Sequence, residues 1–248
     1  MGATITDNNG CSDVSTVTTS LYRSSVTFAS CDDDLEDDNN DCYAVISCSV
    51  VGAGNTCDGA SDDQAAYTCT VAMQYHADPT DVNTTYEADN WLNTFVATDD
   101  DAASHTLEIG TGVEVTSLTA MDITAGIDYG LLTVGQANDP LDKTTTVTAT
   151  GNVGLDEDLS GEDMTSGANS IAVSNQKYAL TAATAYASGI SLSAVATEAE
   201  LNCSKTTVTG TPATKDTWWG LYIPNGTLPG DYSGNNTVTA RKGEFADW

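Results

Sequence analysis

Trp91-Leu92-Asn93-Thr94-Phe95-Val96-Ala97-Thr98, the turn Asp99-Asp100-Asp101, and then His105-Thr106-Leu107-Glu108-Ile109 form the stretch that decides the fold. β-Branched and aromatic residues dominate the first run. An acidic turn ends it, and a second run of the same kind follows. Short extended runs divided by polar turns predict neighbouring strands. By its position in the first run, Trp91 is expected in the core.

The same rhythm continues in both directions. Upstream lie Ala3-Thr4-Ile5-Thr6 with its turn Asp7-Asn8-Asn9-Gly10, then Val14 to Tyr22, Tyr43 to Val50, and Tyr67 to Tyr75. Downstream, a second unit begins near Val113, with strands expected over Val115–Thr124, Leu131–Val134, Thr144–Thr150, Ser170–Ser174 and Ile190–Ala194. Trp218 to Pro224 is expected to pair with Tyr232 to Ala240 as a hairpin across Asn225–Gly230. Pro224 and Pro229 cannot donate to a ladder and belong at strand ends. Val195–Leu201 reads as one short helical turn. Strands at this spacing indicate an all-β chain of sandwich or barrel type, divided into residues 1–112 and 113–248.

Charge narrows the partners. Thirty-six acids oppose seven Lys and Arg, for a net charge of −29. Residues 1–142 hold 25 acids and a single cation, Arg23. Such a surface repels nucleic acid and anionic lipid and attracts cations. Asp outnumbers Glu 27 to 9, and Asp favours turns that coordinate hard cations. The 40 % apolar content suffices for a core, so the acidity does not imply disorder. No apolar run is long enough for a membrane span. No secretory signal pattern opens the chain, which reads as a mature form or a fragment.

Six of the seven cysteines, Cys11, Cys31, Cys42, Cys48, Cys57 and Cys69, fall in the first 69 residues, and Cys203 stands apart. An even cluster in a Thr- and Ser-rich chain predicts disulfides formed outside the cytosol. The absence of Cys-x-x-Cys and the scarcity of His argue against zinc. Local pairing is expected: Cys31–Cys42 and Cys48–Cys57, with Cys11–Cys69 as the long closure, contributing about 4 kcal/mol on the chain-entropy account. Cys203 reads equally as a buried thiol or an intermolecular bridge.

The segment ATITDNNGCSDVSTVTTSLY (3–22), with WLNTFVATDDDAAS (91–104), resembles immunoglobulin-like modules of bacterial and archaeal cell-surface proteins. The terminal WWGLYIPNGTLPGDYSGNNTVTA (218–240) resembles the closing hairpin of similar modules. The resemblance implies two tandem immunoglobulin-like β-sandwiches and no catalysis. It also exposes a departure. Such a unit has a full first strand before the Asp turn, and here only Ala3–Thr6 is present. Either the first sheet is short of an edge strand or a neighbouring molecule supplies one.

Calcium is the expected cofactor. Asp7, Asn9 and Asp13 lie in one turn, and Asp99, Asp100 and Asp101 in another that a sandwich can bring to the same end. Together with carbonyls and water they approach the roughly six to eight oxygens that Ca²⁺ takes. The bland alternative is a pair of solvated Asx turns. The run Asp32–Asp41 is the more conspicuous feature, but it lacks the Gly of a tight calcium turn and reads as a solvated insertion.

Enzyme motifs are missing: no phosphate loop, dinucleotide fingerprint or zinc-protease signature occurs. Ser104 and His105 are adjacent and would point to opposite strand faces, so they form no direct dyad. Trp218 and Trp219 are likewise adjacent, so one faces inward and one outward. Sequons stand at Asn83, Asn202, Asn225 and Asn235. The expectation is an extracellular, non-enzymatic glycoprotein of the cell surface, structural or adhesive, self-associating into a filament or lattice through strand edges. The alternatives are a glycan-binding module with an outward Trp platform, and an accessory module of a salt-adapted secreted protein.

Overall fold

The structure, a computed structural model, describes residues 1–31, 40–51, 62–124, 126–208 and 210–244. Among them every named strand pairs antiparallel, and helix is confined to short 3₁₀ turns. The chain divides into two compact units, Met1–Ser117 with Thr207–Thr211, and Leu118–Thr206 with Pro212–Trp248.

The first unit is one curled sheet of six strands: β1 (Gly2–Thr6), β2 (Val14–Arg23), β3 (Cys42–Val50), β4 (Gln64–Cys69), β5 (Trp91–Asp99) and β6 (Ser104–Val113). They run in the order β1-β4-β3-β2-β5-β6. β3 makes the corner. Its first half pairs with β2, and Cys48–Val50 pair with β4. Within the β2-paired half the register slips by one residue between Tyr43 and Ile46, where Val45 stands at φ 51° and is pushed into solvent. A bulge of this kind bends a strand and increases its twist. The curl lays Ala65 and Tyr67 of β4 against Val17 of β2 and Phe95 of β5 as one core. Trp91 is buried beside Tyr43, Leu21 and Ala77, and its indole N–H donates to the Asp78 carbonyl at 2.9 Å.

The second unit has two main sheets. One holds β7 (Met121–Ile123), β8 (Lys143–Ala149), β12 (Gln176–Ala179), β13 (Ile190–Ser191) and β15 (Thr214–Leu221). The other holds β9 (Leu155–Gly161), β14 (Thr197–Cys203) and β16 (Asn236–Lys242), while β10 (Met164–Ser166) and β11 (Asn169–Ile171) form a separate hairpin. Trp219, Leu221 and Tyr178 of the first sheet pack against Leu159 and Ala199 of the second.

Several local expectations are corrected. The closing hairpin does not form: β15 pairs with β8 and β12, and β16 pairs with β9. Both segments bring apolar residues to the same core, Trp219 and Leu221 from one and Val238 from the other, so burial places them in different sheets. Val195–Leu201 is not helical. Thr197–Cys203 is β14, because Ala199, Leu201 and Cys203 alternate into the core. The strand expected over Tyr67–Tyr75 stops at Cys69, and Leu131–Val134 forms none, with Leu131 fully exposed.

The disulfides join Cys31 to Cys42 and Cys48 to Cys69. The second replaces the expected Cys48–Cys57 and Cys11–Cys69 pairs. Cys48 and Cys69 sit directly opposite each other in the β3–β4 ladder, with Cα atoms 4.2 Å apart. Cys11 is also disulfide-bonded, and Cys57 lies outside the described residues. Cys203 is a buried free thiol whose pKa burial pushes up.

Candidate metal centre

Two turns meet at one end of the first unit. In the β1–β2 turn, the Asn9 N–H donates to Asp7 Oδ1 at 2.8 Å, and Gly10 holds φ 114°, a conformation costly for any residue with a Cβ. That turn leads into the short 3₁₀ segment Cys11–Asp13. In the β5–β6 turn, the Ala103 N–H donates to Asp99 Oδ1 at 2.7 Å. The turns are joined by the Asp100 N–H, which donates to the Asp13 carbonyl at 2.9 Å, and by the Ser15 hydroxyl, which donates to the Asp99 carbonyl at 2.8 Å.

Carboxylate oxygens of Asp7, Asp13 and Asp99 consequently lie within 4.8 Å of one another. Two ligands on opposite sides of Ca²⁺ lie roughly 4.6–5.2 Å apart, twice the usual bond length, so the spacing matches. Asn9 Nδ2 donates to Asp13 Oδ2 at 3.4 Å, at the rim. Asp100 joins through a side-chain hydrogen bond with Asp13, which together with the Asp13 charge raises the Asp100 pKa. Asp101 lies outside the three-carboxylate group. The residues fit a hard cation: all donors are oxygen, half-buried and on two anchored turns. Like charges this close repel by about 1 kcal/mol per pair in bulk water and more near a protein surface.

No Lys or Arg of residues 1–117 relieves this among the described residues. Arg23 is the only Lys or Arg in residues 1–117, and it is committed elsewhere. Its guanidinium bonds Asp78 Oδ2 at 3.0 Å and Asp89 Oδ2 at 2.6 Å, and lies 3.6 Å from Asp41. The Tyr86 ring covers it at 3.8 Å. Burial opposes charging of Arg23, but Asp89 and Asp78 outweigh it and the pKa rises. This cluster was missed in the sequence reading, although a lone cation among 25 acids was its signal.

A cleft of about 400 Å³ opens beside the three-carboxylate group. Asp7 and Asp99 stand at its edge; Ile5 of β1, Phe95 and Ala97 of β5, and Leu107 of β6 line it. β1 pairs only with β4, and β6 only with β5, so each leaves one backbone edge without a strand among the described residues. β6 is exposed along most of its length, including Leu107 and Val113.

Residues 32–39 of the acidic run lie outside the described residues, as does Trp248. All four sequon asparagines are exposed. Trp219 is fully buried and its indole N–H donates to Thr145 Oγ1 at 2.9 Å, so it offers no face to a sugar; Trp218 is half-buried. No helix among the described residues is long and apolar enough to cross a membrane. No known protein family, curated protein or solved structure matches the chain.

Proposed function

We propose that the chain is an extracellular, non-enzymatic component of a cell surface, a subunit of a filament or lattice whose copies join through strand edges. In this reading the two units are immunoglobulin-like modules, and the first accepts a strand from a second copy. The observation that carries it is the cleft between the open edges of β1 and β6. Its floor is apolar and its rims carry unused backbone donors and acceptors, the arrangement that strand addition completes. Calcium between the Asp7 and Asp99 turns fastens the end of that cleft and offsets repulsion between copies that each carry −29. The disulfides and the exposed sequons accord with secretion.

Leu107→Lys tests the reading, because an edge lysine blocks strand addition at small cost to the monomer. With calcium present, sedimentation and electron micrographs are expected to show native chain in ordered assemblies and the variant as monomer. A native chain that stays monomeric at high concentration, with calcium and with chelator alike, sinks the proposal. A large loss of melting temperature in chelator at constant ionic strength supports the cation's part. Dependence on molar salt alone refutes it.

A further inference from the structure

The acids of the second unit are not all on its surface. Asp156-Glu157-Asp158 lie consecutively in β9, a strand at the centre of its three-stranded sheet. Glu157 turns toward the β8–β15 sheet, where it accepts a hydrogen bond from the Thr217 hydroxyl. Asp156 is fully buried as well. Its Oδ1 accepts the Asn202 N–H at 2.8 Å, a donor delivered by the irregularity in β14 that puts Asn202 at φ 55°. Its Oδ2 is enclosed and has no hydrogen-bond partner. A fully buried carboxylate oxygen without a partner is strongly disfavoured and calls for a cation.

We propose that Asp156, Glu200 and Glu244 form a second site for a hard divalent cation, contained wholly within the second unit. One carboxylate oxygen from each lies within 4.8 Å of the others. That is the spacing of ligands around an ion with Ca²⁺-like bond lengths. Asp156 forms the floor, and the exposed Glu200 and Glu244 form the rim. Arg241, the cross-strand partner of Asp156, directs its guanidinium to Glu198 and Asp158 instead. The all-carboxylate donor set selects a hard ion over zinc or copper. The site ties β9, β14 and the segment following β16 together, and it does not depend on the strand-exchange reading.

The test titrates the full chain with calcium chloride, and separately with magnesium chloride, by calorimetry. An Asp13→Asn, Asp99→Asn background removes the cluster of the first unit, so that the two readings fail separately. One saturable site is expected to remain in that background. Adding Glu200→Gln and Glu244→Gln, both at exposed positions, is expected to weaken it at least tenfold. Asp156→Asn is expected to abolish it without lowering the melting temperature of the ion-free protein. If the background variant does not fold, the Glu200→Gln, Glu244→Gln pair in the otherwise native chain must remove one site from the total. No saturable binding in the folded background, or unchanged binding after the two glutamate substitutions, overturns the proposal.

Discussion

Replacing Arg23 with methionine is expected to be the most damaging single change in the first unit. Methionine keeps much of the aliphatic bulk and removes the guanidinium. Asp78, whose side chain is fully enclosed, then loses its 3.0 Å ion pair, and Asp89 loses its 2.6 Å one. Removing one partner of a buried pair costs about 3–5 kcal/mol, because the remaining charge stays desolvated. Asp41 and Asp89 are more exposed and add little. For a unit of this size about 4 °C accompanies each kcal/mol, so the melting temperature should fall by roughly 12–20 °C. The assay is thermal and urea unfolding of the native chain, Arg23→Met, Asp78→Asn and the double variant. The double variant should be more stable than Arg23→Met alone, since the desolvated charge at position 78 is gone. A loss below about 1 kcal/mol for Arg23→Met, or strict additivity in the cycle, would show that the ion pairs are incidental.

Two further outcomes are expected. Cys48→Ser should cost about 3 kcal/mol, given the sequence separation of 21 residues, and peptide mapping by mass spectrometry should recover Cys48 linked to Cys69 and Cys31 to Cys42. Any other partner for Cys48 removes the basis for β3–β4 pairing. Glu157 gives a pH signature: burial raises its pKa, against the opposing hydrogen bond from Thr217. Its protonated form is the one the fold prefers, so its penalty is absent below the unfolded value near 4.5 and grows as pH rises through the folded one. Glu157→Gln should therefore stabilise the chain by on the order of 1 kcal/mol at neutral pH, and the advantage should vanish near pH 4. An advantage independent of pH contradicts a buried charge at this position.

What could be read from the sequence was local. The run Trp91–Thr98, its acidic turn and the run after it became β5 and β6, because period-two burial and turn chemistry act within a few residues. The meeting of the Asp7 and Asp99 turns was also legible, since both sit at ends of strands that a curled sheet brings together. Partner choice was not. Whether Trp219 pairs with or packs across from Val238 depends on which sheet has room, a property of the whole unit. Cys48 and Cys69 join because a bulge at Val45 turns β3 toward β4, and no spacing rule records that bend. Ala199, Leu201 and Cys203 do alternate, but Glu198, Ala199, Glu200 and Leu201 give the segment a helix-like composition. Asp156 was hidden by number, one acid among 36.

The Cys48–Cys69 bridge has a consequence for force. The Cys69 N–H donates to the Met1 carbonyl at 2.9 Å, so the start of β1 is held at the residue that carries the bridge. Tension applied along β1 passes through its β4 ladder, crosses a covalent link into β3, and spreads through β2 to β5. The ladder between β1 and β4 is the weaker joint on that path, and it shears before the bridged strands β3 and β4 part. A chain pulled through its first strand would extend by the length of that strand and then stiffen.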